Sequence, residues 1–200
     1  MENVIEDFKL EPLVKPNFVK AALVTYKQNG IKKTWEIIES HSSVAILIYH
    51  KEKEAFVLVK QFRPPVYHRN GDGITVELCA GLIDKDASLE QIAKEEIEEE
   101  CGFDVPLEKI ERITQVLSSV GTSGGTQTIY YAEVNELLRV SQGGGIEDEQ
   151  IEVIEIPITE AKSFIYDESI AKTVGLMFAV LWWFARTAKK YGVTSQTIST

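Results

Sequence analysis

Apolar residues fall mostly in short runs separated by glycine, proline and charged turns. The runs 43–49 and 55–62 are joined by the charged turn 51–54. Their length and lack of polar alternation are typical of strands buried on both faces. Further runs predict strands at 74–80, 110–118, 126–134 and 151–157. The pattern therefore predicts a sheet of several strands at the centre of the chain.

The two ends of the chain predict different elements. In 17–40, apolar residues flank Asn29-Gly30, a strong signal for a tight β-hairpin turn. Near the other end, the run 174–185 is shorter than the about 20 residues that span a bilayer. We interpret it as a buried helix within about 169–191. The expected organisation is an N-terminal β extension (1–42), one α/β domain (43–191) and a polar tail (192–200).

A helix is predicted after the strand at 74–80. Ser88 and Gln91 have the spacing of a capping box at its start. Gly102 suits the left-handed residue that follows a helix end. The helix therefore occupies about 89–101.

Acidic residues lie on the apolar side of this helix. At 100° per residue, Glu96 and Glu100 fall inside the arc of the apolar residues, and Glu99 lies on its edge. That arc is made by Leu89, Ile92, Ala93, Ile97 and Cys101. Desolvating carboxylates costs several kcal/mol each, and these also crowd the negative end of the helix dipole. A cation is therefore expected, and oxygen ligands favour Mg²⁺ or Mn²⁺.

The same segment resembles the Nudix box, the metal-binding loop–helix–loop of the Nudix hydrolases. The residues that match are Gly81, Glu96, Ile97, Glu99, Glu100, Gly102 and Phe103. Two positions depart from the pattern, with Ala87 where a glutamate is usual and Glu95 where an arginine is usual. The resemblance covers most of the chain, but only the box is specific. It implies an α/β/α sandwich with a mixed sheet.

The resemblance also implies a set of metal ligands and a base. Glu96, Glu100 and the main-chain carbonyl of Ala80 would bind Mg²⁺, with Glu99 as a ligand or an orienting group. Related diphosphatases supply a further glutamate, as ligand or general base, from a loop that corresponds here to 143–150. Glu149 fits that role best by its distance from the next strand, and Glu147 is the alternative.

Two residues outside the box resemble substrate contacts of the nucleotide-sugar diphosphatases. Trp35, in the predicted hairpin, matches an aromatic that stacks on the nucleobase, often across a homodimer interface. Taken alone, such a tryptophan is more often a core or interface residue. Arg63, in Gln-Phe-Arg-Pro, matches an arginine that contacts the substrate, and a guanidinium suits phosphate oxygens.

Composition restricts the partners and the compartment. The net charge of −10 and pI near 4.9 argue against nucleic acid, which needs a basic surface. The same acidity repels a phosphorylated substrate unless metal ions neutralise it locally. Two cysteines and a polar N-terminus without a secretory pattern predict a cytoplasmic protein with no membrane segment.

These observations lead to one main hypothesis and several alternatives. The main one is Mg²⁺-dependent hydrolysis of a UDP-glucose-like nucleoside diphosphate sugar, giving a nucleoside monophosphate and a sugar 1-phosphate. ADP-ribose is the alternative substrate. Because Glu95 replaces the usual arginine, a nucleotide-sugar binding module without turnover is a second alternative. A third is an acidic helix that serves only as a protein-interaction surface, which would have no affinity for Mg²⁺.

Overall fold

The computed structural model describes residues 4–146 and 148–188. Glu147 and the predicted tail at 192–200 lie outside these ranges. The strands are β1 (Lys20–Gln28), β2 (Ile31–Glu39), β3 (Ser43–His50), β4 (Ala55–Phe62), β5 (Ile74–Glu77), β6 (Cys79–Leu82), β7 (Glu111–Leu117), β8 (Thr126–Val134) and β9 (Ile151–Pro157). The α-helices are α1 (Pro64–Asn70), α2 (Leu89–Cys101), α3 (Ile158–Tyr166) and α4 (Val174–Ala188).

The first two strands form a separate antiparallel hairpin. Its register runs from Lys20 opposite Glu39 to Gln28 opposite Ile31. Asn29 and Gly30 both have positive φ, 53° and 79°, as a tight hairpin turn of matching twist requires. The predicted N-terminal β extension is confirmed. Almost all of its residues are exposed on both faces.

The remaining strands form one mixed sheet of seven strands. Its main path is β5-β4-β3-β8-β7, with β6 also paired to β3 and β9 to β4. The β3–β8 pair is parallel, and the other pairs are antiparallel. The α/β class with a mixed sheet is therefore confirmed.

Helices cover both faces of this sheet. On one face, α2 buries Ile92, Ala93, Ile97 and Cys101 against β3, β4 and β8. On the other, α4 buries Leu176, Ala179, Val180 and Trp183, with α3 beside it. The long β3 and β4 are nearly fully buried, as their unbroken apolar runs predict. No helix in the two described ranges is long and apolar enough to cross a bilayer.

The sheet forks between β3 and β4, and the sequence did not predict this. The expected single strand at 74–80 is two strands, because the chain leaves β4 after Glu77 and joins β3 from Cys79. β3 and β4 pair only through three residues each, at Ile48–His50 and Ala55–Val57. The end of β6 therefore lies beside α2, where the predicted metal ligands are.

Two short helices were also not predicted. Pro64 and Pro65, interpreted only as the end of a strand, occupy the first positions of α1, where proline is tolerated because no N–H is needed. α3 follows β9 directly. The predicted C-terminal helix begins at Val174, later than the expected 169.

Candidate active site

The box helix begins and ends as the sequence predicts. Ser88 is its N-cap, and the Ser88 hydroxyl accepts a hydrogen bond from the Gln91 N–H at 3.1 Å. Gly102 follows the helix with φ 77° and donates its N–H to the Glu98 carbonyl. Only half of the capping box forms, because the Gln91 amide donates to Glu95 at 2.7 Å.

Glu100 is the most deeply buried carboxylate of the site. Its residue is 4% exposed, and its Oε2 accepts the main-chain N–H of Ala80 at 2.9 Å. Burial raises its pKa to about 8, against the lowering effect of the hydrogen bond from Ala80. This bond connects the last turn of α2 to the end of β6. It also places Ala80, the predicted main-chain ligand, beside Glu100.

Glu96 lies one turn earlier, against the glycine that starts the box. A Cβ at Gly81 would be 2.0 Å from Glu96 Oε1, so only glycine leaves room for this carboxylate in its present position. Burial, together with the smaller effect of the charge of Glu99, raises the pKa of Glu96 to about 7. Glu99 itself is partly buried. Glu96 and Glu100 therefore lie on the inward side of α2, with Glu99 partly buried at its edge, as the helical arc predicts.

The donor set fits a hard divalent cation. It consists of carboxylate oxygens with the Ala80 main chain beside them. Burial is the largest cause of the raised pKa values of Glu96 and Glu100, and it makes their ionised forms costly unless a positive charge is close. Within 4–146 and 148–188, no three carboxylate, imidazole or thiol side chains converge closely enough to hold an ion as they stand. Mg²⁺ requires few protein ligands, since it usually keeps several waters.

Three consecutive glycines bind a neighbouring loop to the end of α2. The N–H groups of Gly144 and Gly145 donate to the carbonyls of Glu100 and Glu99 at 2.9 and 3.1 Å. A Cβ at Gly143 would be 2.3 Å from the Glu100 carbonyl oxygen, so no side chain fits there. The glycines therefore permit the close approach of this loop and satisfy carbonyls that a helix end leaves free.

This loop brings Glu149 to the carboxylate group. The charge of Glu149 contributes to the raised pKa of both Glu96 and Glu100. Its own Oε2 accepts the N–H of Ile146 at 3.0 Å, and the residue is exposed. Glu149 is thus close to the predicted ligands but directed to its own loop. Glu147, the alternative base, lies outside the described residues.

Arg63 lies near these glutamates, directly after β4, and is held by Glu77 of β5. Its Nε and Nη2 donate to the two carboxylate oxygens of Glu77, each at 2.8 Å. The bonds to Glu77 raise the pKa of Arg63, and the charges of Glu100 and Glu149 raise it further. The structure therefore brings Arg63 together with the glutamates of the box and the loop.

Trp35 lies apart from this group, on the exposed hairpin. Its indole N–H donates to the Gly121 carbonyl at 2.8 Å, and the Ile38 N–H donates to the Thr122 carbonyl at 3.0 Å. The residue is 55% exposed. It is therefore not a core residue of its own chain. Its assignment as a base-stacking residue stays a prediction.

Sequence reasoning missed the environment of Glu95. The sequence marks this residue only as a departure from the box, and the structure shows that Lys85 from the preceding loop forms an ion pair with it. The positive charge of Lys85 acts to lower the pKa of Glu96, against the larger effect of burial that raises it. Lys94, the basic residue next to Glu95 in the sequence, instead pairs with Asp104. No periodicity links a loop lysine to a helix position ten residues later.

A carboxylate-lined helix below a mixed sheet, with an arginine fixed beside it, is typical of metal-dependent hydrolases that act on phosphate groups. The chain belongs to the NUDIX family, since a model of the NUDIX domain matches residues 39–173. It is 37% identical over 197 residues to the uridine diphosphate glucose pyrophosphatase of Bos taurus. That alignment covers 84% of this chain and 89% of the bovine protein. It is also similar to the GDP-mannose pyrophosphatase of Enterobacter sp., at 36% identity over 163 residues and 78% and 83% coverage.

Proposed function

We propose that the protein hydrolyses the diphosphate bond of a nucleoside diphosphate sugar, with Mg²⁺ or Mn²⁺ as cofactor. The observation that carries the proposal is the pair formed by the buried Glu100 and the half-buried Glu96, whose pKa values are raised to about 8 and about 7, with Arg63 beside them. Such a pair is costly without a cation. Membership of the NUDIX family and the names of the similar proteins support the same reaction.

Each residue has a distinct part in this proposal. Glu96, Glu100 and the Ala80 carbonyl would hold the metal ion, and Glu99 is a ligand or orients one. A divalent ion supplies charge neutralisation for the diphosphate and makes water more acidic. Arg63 binds phosphate oxygens. Glu149 would accept the proton of the attacking water, after its carboxylate turns from the Ile146 N–H.

The bond changes balance without a further reactant. A water oxygen forms a bond to one phosphorus, the bridging P–O bond breaks, and the departing phosphate takes the bridging oxygen. The products are a nucleoside monophosphate and a sugar 1-phosphate. We expect UDP-glucose to be preferred, in accord with one group of similar proteins. ADP-ribose stays the alternative, and GDP-mannose enters as a competitor because other similar proteins carry that name.

A substrate panel tests this proposal. Wild-type protein with Mg²⁺ is assayed on UDP-glucose, GDP-mannose, ADP-ribose, a dinucleoside polyphosphate and capped RNA, with alkaline phosphatase releasing phosphate from the products. We expect the highest kcat/KM on a nucleotide sugar, loss of turnover in EDTA, and recovery with Mg²⁺ or Mn²⁺. A best rate on the dinucleotide or the RNA would overturn the sugar assignment. The matched variants are Glu100→Gln and the outward-facing Glu98→Gln.

One observation favours a second candidate, a binding module without turnover. Glu95 occupies the position where the box usually has a basic residue, and its partner Lys85 is 42% exposed. This candidate predicts binding of UDP-glucose in calorimetry together with no phosphate release from any member of the panel. Turnover that Glu99→Gln abolishes would exclude it.

We also propose a cytoplasmic homodimer whose interface includes the hairpin. Leu23, Ile31 and Trp35 are 64%, 64% and 55% exposed, and an isolated two-stranded sheet is at best marginally stable in water. The two free, buried cysteines support a reducing compartment. Sedimentation should show a dimer that Leu23→Asp dissociates. The control Leu137→Asp changes a leucine that is 90% exposed outside the hairpin, and equal effects of the two variants would contradict the assignment.

A further inference from the structure

Arg63 is attached to the protein along one edge of its guanidinium. The edge formed by Nε and Nη2 faces Glu77, with both bonds at 2.8 Å. A planar guanidinium has a second edge, formed by Nη1 and the other N–H of Nη2. That edge points away from Glu77, and the Arg63 side chain is 44% exposed. One edge is therefore fixed while the other is accessible to a ligand.

Glu77 is itself fixed by a neighbour on the same strand. The Thr75 hydroxyl donates to Glu77 Oε1 at 2.6 Å. Residues two apart on a strand share a face, so both side chains project from β5 towards Arg63. Thr75 and Glu77 are 6% and 9% exposed. Burial acts to raise the pKa of Glu77, but the bonds from Arg63 and Thr75 keep it below its ordinary value.

The backbone of Arg63 is constrained as well. Its N–H donates to the Gly73 carbonyl at 2.8 Å, and its carbonyl accepts the N–H groups of Val66 and Tyr67. Pro64 begins α1 directly after it. Because both the backbone and one edge of the side chain are fixed, the free edge has little freedom left to lose when a ligand binds.

We propose that Glu77, supported by Thr75, is a positioning residue that orients the free edge of Arg63 towards the diphosphate of the substrate. This inference rests on the proposed function. Glu77 carries a negative charge that would repel phosphate, so its contribution is made through the guanidinium. The functional unit is thus a chain of three side chains, Thr75, Glu77 and Arg63, of which only the last contacts substrate.

The test combines kinetics with a double-mutant cycle. We expect Arg63→Ala to lower kcat/KM about 100-fold and Glu77→Gln about tenfold, the range that misplacement of a substrate-orienting group produces. In the Arg63→Ala background, Glu77→Gln should have little further effect, because its influence passes through the missing side chain. An unchanged tenfold loss in that background would overturn the proposal.

Thr75 gives a finer version of the same test. Thr75→Val removes the hydroxyl at nearly constant shape, and Thr75→Ser keeps it. We expect the valine variant to raise KM about threefold, the size of one net hydrogen bond, and the serine variant to match wild type. Equal KM values for both variants would contradict the role of this hydroxyl. For Glu77→Gln the matched control is Glu155→Gln, which also removes a carboxylate from an ion pair on a strand, here the pair with Lys53.

A binding experiment separates this inference from the proposed function. Methylenediphosphonate, which cannot be hydrolysed at its bridge, is titrated into the protein with Mg²⁺ present. We expect Glu77→Gln and Arg63→Ala each to weaken its binding, by about tenfold or more, whether or not nucleotide sugars are turned over. Absence of turnover with this result would reject the proposed function alone. If Glu77→Gln has the thermal stability of wild type and binds methylenediphosphonate as tightly as wild type does, the inference alone is rejected.

Discussion

Replacing Glu100 by glutamine should stabilise the metal-free protein at alkaline pH while abolishing its response to Mg²⁺. The substitution keeps the shape of the side chain and an oxygen that can accept the Ala80 N–H, but it removes the charge. Burial raises the pKa of Glu100 from an ordinary 4.5 to about 8. The folded protein therefore resists ionisation of this group, whereas the unfolded chain ionises it freely.

The sign and size of the effect follow from linkage. The contribution of Glu100 to the free energy of unfolding is fully present below its ordinary pKa of 4.5. It is lost as the pH rises from there through the pKa of about 8 that Glu100 has in the folded protein. At about 1.4 kcal/mol per pKa unit, the loss is at most about 5 kcal/mol. Relaxation and entry of water reduce such penalties, so we expect about 2–4 kcal/mol. The glutamine variant should equal wild type near pH 4.5 and exceed it by this amount above pH 8.

Urea unfolding in EDTA from pH 5 to pH 9 measures this difference directly. Effects of titrating groups far from Glu100 largely cancel between two variants that differ only at this position. The charges of Glu96 and Glu149 act on Glu100, so their titration contributes to the measured difference. Glu98→Gln, on the exposed side of the same helix, is the control and should show little pH-dependent difference. Added Mg²⁺ should stabilise wild type at pH 8 and leave Glu100→Gln unchanged. A stability difference that is constant across this pH range would refute the reasoning.

Three further experiments, with four substitutions, test the surroundings of the site. Gly81→Ala should displace the Glu96 carboxylate and raise the Mg²⁺ concentration for half-maximal rate about tenfold, with little change in Tm; unaltered metal dependence would contradict it. Ser88→Ala should lower the free energy of unfolding by about 1 kcal/mol, measured in urea, without changing KM. Lys85→Met should lower kcat/KM about fivefold, the size of an exposed charge pair, and adding Glu95→Arg should recover the rate; no recovery would exclude a role for the positive charge.

Local chemistry explains why the box helix and the hairpin were predictable. The Ser88 cap, the Gly102 exit and the Asn29-Gly30 turn each depend on residues within a few positions of one another. The inward direction of Glu96 and Glu100 follows from helix periodicity alone. Likewise, the unbroken apolar runs of β3 and β4 indicate burial on both faces, as the structure shows.

The fork in the sheet and the arginine–glutamate pair could not be predicted in this way. Nothing local distinguishes a strand that continues from one that changes partner after Glu77. The bond between Arg63 and Glu77 joins residues 14 positions apart, and the pair exists only because β4 and β5 are neighbours. The helix α1 was not predicted for another reason, since a proline that ends a strand also suits the first turn of a helix.

The contact that the sequence predicts least is the one between the glycine loop and the end of α2, and it connects two parts of the site. Gly144 and Gly145 donate N–H groups to the carbonyls of Glu100 and Glu99, so the loop that carries Glu149 is bonded to the helix turn that carries the predicted metal ligands. From the sequence, these glycines indicate only a loop. Their lack of side chains is instead what permits the contact, since a Cβ at Gly143 would be 2.3 Å from the Glu100 carbonyl oxygen. The helix end and the loop glutamate therefore form one unit, and a shift of that turn on metal binding would displace Glu149 as well.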